Sequence, residues 1–174
     1  VKETVESLPE EWKDIDILVN NAGLARGKSK IHEDEVNGWE EMIDTNLKGL
    51  LYVTREVVPL MTARNKGHVI NLGSIAGREA YIGGGVYCAT KHAVTAITRT
   101  LRMELLDKKV RVSTVDPGSV ETEFSKVRYY GDEEKAKELY QGIDPLVAED
   151  IADTIIFVAN RPPHVNIAEM VVFP

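Results

Sequence analysis

The stretch "DILVNNAG", residues 16–23, joins a short apolar run to a turn of Asn-Asn-Ala-Gly. An apolar run of this length that ends in turn residues is typical of a parallel strand buried on both faces. Three later stretches share its apolar character: "GHVINLGS" (67–74), "VRVSTVDPG" (110–118) and "EMVVFP" (169–174). We therefore predict four strands of one sheet, three of them ending in polar or glycine-rich turns.

The segments between these strands have the apolar periodicity of helices. Residues 33–61, 85–109 and 148–160 are each predicted to be helical. Strands that alternate with helices indicate an α/β fold with a parallel sheet. No internal repeat, low-complexity tract or linker interrupts the pattern, so residues 1–174 are predicted to form a single domain.

Composition narrows the class of protein. Apolar residues make up 43% of the chain, enough for one core, and the formal net charge is −7. Because Lys and Arg form no cluster that could neutralise phosphates, we expect no nucleic-acid partner. Apolar runs fall far short of the roughly 20 residues that cross a bilayer, so we expect no membrane partner. One cysteine, Cys88, and no signal peptide lead us to expect a cytoplasmic protein.

The stretch "GGGVYCATKHAV", residues 83–94, places Tyr87 four positions before Lys91 on the same helical face. A cation within about 4–6 Å lowers a tyrosine pKa from its usual value of about 10. Tyr87 would then be a general acid or base near neutral pH. A surface tyrosine beside a solvated lysine has the same spacing. However, Ser74 ends the preceding strand, and ligand chemistry in parallel sheets lies at the carboxyl ends of strands.

Asn46 is a polar residue on the apolar stripe of its predicted helix. Burial without a hydrogen-bond partner would cost about 1–3 kcal/mol. We therefore expect the Asn46 side chain to be bonded, and a structural contact to backbone is the simplest partner.

These motifs together resemble one known family. "NNAG", the Asn of "DTNLKG", the Ser of "INLGSIAG", "YCATK" and "DPG" match the short-chain dehydrogenase/reductases in order and spacing along the chain. The resemblance implies a Rossmann-like, doubly wound parallel sheet. It implies that Tyr87 transfers the substrate proton, Ser74 holds the carbonyl or hydroxyl oxygen, and Asn46 holds a proton-relay water. It also implies that Lys91 binds the nicotinamide ribose and lowers the pKa of Tyr87.

The same resemblance implies a set of cofactor contacts. Asn21 and Gly23 would line the adenosine and ribose side, and a second group would face the nicotinamide: Pro117, Gly118, Val120 and Thr122. No metal site is implied, and the four histidines lack metal-ligand spacing. The helices at 33–61 and 85–109 would pair between subunits, which implies a homodimer or homotetramer.

Two stretches, residues 7–27 and 123–141, are more similar to the subgroup that oxidises serine, allo-threonine and related 3-hydroxy acids with NADP. In that subgroup, residues 119–147 would form a substrate lobe. A 3-hydroxy acid carries a carboxylate, for which Arg128 offers a bidentate partner. Arg78 is a second candidate, and a solvated surface arginine is the ordinary alternative for both.

The sequence departs from the family pattern at one place. The glycine-rich turn that seats the cofactor pyrophosphate after the first strand is absent from these 174 residues. We therefore expect the first strands and helices of the fold to lie upstream of Val1. The strand at 16–20 would then be an edge of the sheet, and the 174 residues alone would not catalyse the reaction. The residue that distinguishes NAD from NADP would also lie upstream, so NADP rests on the subgroup and NAD is not excluded.

Two other functions compete with this interpretation. "AGLARGKS", residues 22–29, fits a loosened nucleotide-triphosphate loop, in which Lys28 and Ser29 would contact phosphate and Mg²⁺ and Asp116 would be a second metal-binding acid. Against it, the loop begins with Ala22, and no helix pattern follows at once. The third possibility is a non-catalytic interaction module that keeps the motif residues without turnover.

Overall fold

The computed structural model describes all residues, Val1–Pro174. The chain forms six strands and seven α-helices. The strands are β1 (Ile17–Asn20), β2 (Gly67–Leu72), β3 (Val110–Pro117), β4 (Val120–Glu121), β5 (Leu146–Val147) and β6 (Glu169–Val172). The helices are α1 (Lys2–Glu6), α2 (Val36–Ile43), α3 (Leu50–Arg64), α4 (Gly85–Glu104), α5 (Glu123–Arg128), α6 (Glu133–Glu138) and α7 (Ala148–Ala159). None of these helices is both long and apolar enough to span a membrane.

The predicted parallel sheet is confirmed. Its order is β1-β2-β3-β6, and every neighbouring pair is parallel. Successive residues of a strand point to opposite faces, so each strand contributes to two cores. On one face Val69 packs with residues of α3, and on the other Ile70 packs with residues of α7. Helices cover both faces, which is the doubly wound α/β architecture.

β1 lies at one edge of this sheet, as expected, because β2 is its sole strand partner. Its apolar sequence is nevertheless that of a strand covered on both faces. Ile17 is 46% exposed and Val19 is 38% exposed. The apolar pattern therefore predicted the strand correctly and its complete burial wrongly.

The predicted helices exist, but their bounds differ. Residues 33–61 are divided into α2, a π-helix over Asp44–Gly49, and α3. The π-helix adds a residue to one turn and shifts the face that follows it, which a regular 3.6-residue period cannot predict. α3 continues past the predicted end to Arg64, and the left-handed backbone of the next residue, Asn65 (φ 51°), terminates it. α4 ends at Glu104, five residues before its predicted end.

The segment 119–147 contains a second, two-stranded parallel sheet of β4 and β5, with α5 and α6 between them. The resemblance implied a substrate lobe here, and no sheet was predicted for it. Strands of two residues are too short to produce a periodic pattern. This segment lies beside the carboxyl end of β3, from which it continues directly.

Candidate active site

A groove with a volume of about 630 Å³ lies at the carboxyl ends of the main strands. Turns after β1, β2 and β3 form its floor, and α5 and α7 form its apolar wall. Nine residues predicted from the sequence line it: Asn21, Gly23, Ser74, Tyr87, Lys91, Pro117, Gly118, Val120 and Thr122. The predicted site residues Asn46 and Arg128 do not line the groove. The fold thus brings together residues as far apart in the chain as Asn21 and Thr122.

Tyr87 lies in the first turn of α4, and the Tyr87 and Phe124 rings pack at 5.7 Å between centroids. Tyr87 is 9% exposed. Burial raises the pKa of Tyr87 to about 12, and the nearby Ser74 hydroxyl acts in the opposite direction. The net shift of this pKa is therefore upward and not downward as predicted, because desolvation of the phenolate is the largest effect. The contribution of Lys91 stays a prediction.

Ser74 follows β2 and begins a short 3₁₀ turn, Ile75–Gly77. Its Oγ accepts a hydrogen bond from the Ala76 backbone N–H at 3.1 Å, so the side chain caps the turn. The same hydroxyl lies 3.5 Å from the Pro117 carbonyl oxygen. These contacts hold the hydroxyl between two walls of the groove, beside Tyr87.

Lys91 extends from α4 toward the end of β2. Its Nζ donates a hydrogen bond to the Leu72 carbonyl at 2.9 Å and lies 5.9 Å from the centroid of the Tyr87 ring. The residue is 6% exposed. Burial lowers the pKa of Lys91 to about 8, and the negative charge of Asp116 acts against that decrease. Tyr87 and Lys91 therefore share one face of α4, as their spacing predicted.

Asn46 lies in the π-helix and is 2% exposed. Its Oδ1 accepts from the Leu24 N–H at 2.8 Å, and its Nδ2 donates to the Leu24 carbonyl at 2.8 Å. Nδ2 also contacts Thr90 Oγ1 at 3.1 Å. The expected structural contact with backbone is confirmed. Its role in holding a relay water stays a prediction.

Comparison with known proteins identifies the family of the chain. A family model described as short chain dehydrogenase matches residues 1–132. The chain belongs to the short-chain dehydrogenase family. That match covers the strands, turns and helix that carry Ser74, Tyr87 and Lys91.

Several members of the short-chain dehydrogenase family are similar along nearly the whole chain. An NADP-dependent 3-hydroxy acid dehydrogenase of Schizosaccharomyces pombe is 49% identical over 170 residues, which is 98% of this chain and 66% of that protein. The NADP-dependent 3-hydroxy acid dehydrogenase YdfG of Escherichia coli K12 is 49% identical over 175 residues, all of this chain and 71% of that protein.

A solved structure, the closed form of serine dehydrogenase complexed with NADP+, is 50% identical with a TM-score of 0.96. The match covers 98% of this chain and 69% of that one. The present chain therefore spans about two thirds of the length of these relatives.

Arg128, the predicted carboxylate partner, is the last residue of α5, within the lobe segment of this short-chain dehydrogenase. Its Nε donates to the Gly27 carbonyl at 2.7 Å, and its Nη1 donates to the Tyr81 hydroxyl at 3.0 Å. It is 6% exposed and lines a second, smaller depression of about 400 Å³. The guanidinium forms no ion pair, and its charge acts to lower the pKa of Tyr87. A buried cation without a counter-ion thus lies close to the groove.

Arg78, the second candidate for a substrate carboxylate, is engaged inside the protein. Its Nε and Nη2 contact Asp116 Oδ2 at 2.8 and 2.5 Å, and its Nη2 also contacts Glu169 at 2.6 Å. Two internal carboxylates therefore bind its Nε and Nη2, and Arg78 does not line the groove. The structure does not favour Arg78 as a substrate clamp.

The nucleotide-triphosphate loop is also wrong. Residues 21–30 have no regular structure, and only a 3₁₀ turn at Ile31–Glu33 follows them. Such a loop needs a helix N-terminus directed at the phosphates. Lys28 and Ser29 are exposed. Asp116, which this interpretation takes as a metal-binding acid, is instead paired with Arg78.

The apolar wall of the groove has no signal of its own in the sequence; α5 and α7 supply it through Phe124, Val127, Ile151 and Ile155. The amphipathic pattern at 148–160 indicated a helix with a covered face. It did not show that part of this face lines a cavity instead of packing on the sheet.

Proposed function

We propose that this chain carries the catalytic residues of an NADP-dependent oxidoreductase that interconverts the hydroxyl and carbonyl forms of a small 3-hydroxy acid, with Tyr87 as acid and base. The observation that carries this proposal is the meeting of Ser74, Tyr87 and Lys91 at one groove. The relatives named above are described as acting on 3-hydroxy acids or serine.

The proton transfer follows from the environment of Tyr87. With its pKa raised to about 12, Tyr87 is protonated at neutral pH and ready to donate to a carbonyl oxygen. In the oxidation direction it must first act as the phenolate, which the nearby Lys91 ammonium would favour. The Ser74 hydroxyl, beside Tyr87, would hold the reacting oxygen by a hydrogen bond.

The groove has features that fit the nicotinamide and ribose of NADP. A Cβ at Gly23 would lie 3.5 Å from Lys91 Nζ, so glycine leaves room beside the ammonium. Lys91 has donors beyond its one bond to Leu72, and Asn21, Gly23, Pro117, Gly118, Val120 and Thr122 would complete the contacts. When bound, NADP accepts or supplies the hydride. These residues do not distinguish NADP from NAD, so the assignment of NADP rests on the relatives.

Arg128 supports a carboxylate-bearing substrate. Burying a guanidinium without an ion pair costs solvation free energy, and an anionic ligand would compensate it. We propose that Arg128 attracts the carboxylate of the 3-hydroxy acid toward Tyr87, while its bonds to Gly27 and Tyr81 keep its orientation fixed.

The experiment is a substrate comparison in the full gene product, purified and assayed with NADP+. L-serine and 3-hydroxyisobutyrate should be oxidised. Arg128→Met should decrease kcat/KM for these acids by about 10²-fold, and for an uncharged secondary alcohol by much less. Arg26→Met is the matched control, because Arg26 also reaches the lobe, by a bond to the Val127 carbonyl, but is paired with Glu41.

Equal losses on acids and alcohol in Arg128→Met would assign Arg128 to packing of the lobe. Absence of any NADP-dependent oxidation, together with a folded protein, would favour the non-catalytic interaction module instead.

We also propose a homodimer or homotetramer in the cytoplasm. Large apolar side chains are exposed on the two central helices, with Tyr52 on α3 57% exposed and Met103 on α4 62% exposed. Such surface is commonly covered by a second copy. Sedimentation of the full gene product at micromolar concentration should show a dimer or larger species, and a monomer would contradict the proposed assembly.

A further inference from the structure

Asp116 is the only buried acidic residue among the 28 in the chain. It lies near the end of β3, directly before Pro117 in the groove wall, and is 0% exposed. A carboxylate loses much solvation free energy on burial and is retained only where other groups compensate its charge. The groups around Asp116 therefore indicate what its charge does.

One oxygen of Asp116 is clamped by Arg78. Oδ2 accepts two hydrogen bonds from the guanidinium, and Glu169 of β6 holds the same arginine from the other side. Arg78 directly follows the 3₁₀ turn that Ser74 begins. The bidentate pair thus ties the loop of Ser74 to the end of β3, which are two walls of the groove.

The other oxygen, Oδ1, is buried and has no hydrogen-bond partner. It lies against Gly73, where an added Cβ would be 1.9 Å from it. Only glycine at this position allows the carboxylate to approach the chain between Leu72 and Ser74 so closely. The Leu72 carbonyl is the acceptor for Lys91 Nζ. Asp116 is therefore packed against the segment that holds both Ser74 and Lys91.

Lys91 is a buried ammonium whose one hydrogen-bond acceptor is a neutral carbonyl. Burial lowers its pKa, and Asp116 is the charge that raises it again. On the same helix, Tyr87 and Cys88 are the other buried titratable groups. Arg78 follows the 3₁₀ turn packed against α4, whereas the acids on α2 and the π-helix, Glu40, Glu41 and Asp44, are exposed.

We propose that Asp116, clamped by Arg78, is a positioning residue that fixes the Ser74 loop and serves as the counter-charge of Lys91. This inference rests on the proposed function, because it assigns Asp116 to the same groove. Asp116 does not line the groove and does not contact substrate. It acts through Ser74 and Lys91.

The test compares three variants of the full gene product. Asp116→Asn keeps the shape of the side chain and removes its charge. We expect kcat to decrease roughly 10- to 100-fold, because the Ser74 loop is less fixed. NADPH affinity should also fall at high pH as Lys91 loses its proton, and we call this fall the alkaline limb. In Asp116→Asn its midpoint should move down by about one pH unit, because Lys91 loses its proton more readily without a nearby anion.

The second variant separates the two effects. Arg78→Lys keeps a cation beside Asp116 but loses the bidentate geometry, so kcat should decrease while the alkaline limb stays in place. Arg99→Met is the matched control. Arg99 holds Glu169 from outside the cluster, at 52% side-chain exposure, and its loss should change neither quantity.

An Asp116→Asn protein with unchanged kcat and an unchanged limb would overturn the inference, while loss of activity in Tyr87→Phe would leave the proposed function standing. If Asp116→Asn does not fold, the Arg78→Lys variant provides the test. A wild-type kcat in that variant would contradict the claim that the Arg78–Asp116 pair fixes the Ser74 loop. NADPH affinity against pH needs no turnover, so an unshifted limb counts against the inference even in a protein that oxidises none of the substrates tested.

Discussion

Two buried polar clusters lie at opposite ends of the same two strands. At the carboxyl ends of β2 and β3, Ser74, Tyr87 and Lys91 meet at the groove. Near the amino ends, His68 Nε2 lies 2.8 Å from Ser113 Oγ, which donates to Asn166 Oδ1 at 3.3 Å. By residue type alone, the second cluster, a serine hydroxyl beside a histidine, resembles a catalytic nucleophile and its base more than the first cluster does.

Access to a ligand distinguishes the two clusters. His68 is 1% exposed, Ser113 is 0% exposed, and neither lines the groove. A substrate has no route to them in this structure. In the first cluster the strands end, so that polar side chains face a cavity instead of the next layer of packing. Position at a strand end is therefore a better guide to function here than the residue types are.

The basic groups of the two clusters also differ in charge at neutral pH. Burial lowers the pKa of both, that of Lys91 to about 8 and that of His68 to about 4. Lys91 therefore stays largely protonated, supported by Asp116. His68 is neutral, because burial and the positive charge of Arg111 both oppose its protonation. The groove cluster therefore keeps a positive charge at neutral pH, whereas the sealed cluster of His68, Ser113 and Asn166 is uncharged.

The largest expected effect is at the groove. Tyr87→Phe removes only the hydroxyl, so packing against Phe124 should persist. We expect kcat to decrease about 10²–10⁴-fold, the usual contribution of a general acid or base, with little change in the free energy of unfolding. Steady-state assays with NADP+ and L-serine measure the first quantity, and urea titration measures the second. A decrease below about tenfold would remove Tyr87 from the proton transfer.

A smaller effect is expected at the sealed cluster, where a substitution should change the pH dependence of the free energy of unfolding. Because His68 has a pKa of about 4 when folded and about 6.5 when unfolded, the unfolded chain binds the extra proton between these values. Stability is complete above pH 6.5 and decreases as the pH falls toward 4. Between pH 7 and 5 this amounts to about 2 kcal/mol. His68→Gln should lose this part of the pH dependence in denaturant titrations, and an unaltered slope would contradict it.

The four main strands and their parallel arrangement were predictable because they depend on local signals, whereas the nine groove residues were implied by the family resemblance. Apolar runs ending in Asn-Asn-Ala-Gly, Gly-Ser and Asp-Pro-Gly are visible without tertiary contacts. Parallel strands then bring their ends together whatever their separation along the chain. The site residues at 21, 74 and 117 were therefore predictable as neighbours.

The features that were missed depend on contacts between distant residues. The pairing of Arg78 with Asp116 joins positions 38 apart, and the bond of Arg128 to Gly27 spans 101. Neither has a local pattern. The pKa of Tyr87 was predicted in the wrong direction because spacing reveals Lys91 but not the extent of burial. The π-helix likewise has no signal in a regular helical period.

The central claim, that the groove cluster is catalytic and the sealed cluster structural, is tested most directly by one pair of variants assayed side by side. Ser74→Ala and Ser113→Ala remove the same hydroxyl at the two ends of the sheet. Ser74→Ala should decrease kcat about 10²–10³-fold with little change in unfolding free energy. Ser113→Ala should keep kcat within about twofold and lower the free energy of unfolding by about 1–3 kcal/mol, because His68 Nε2 loses its partner. Equal losses of kcat in both variants, or a larger loss in Ser113→Ala, would contradict the account.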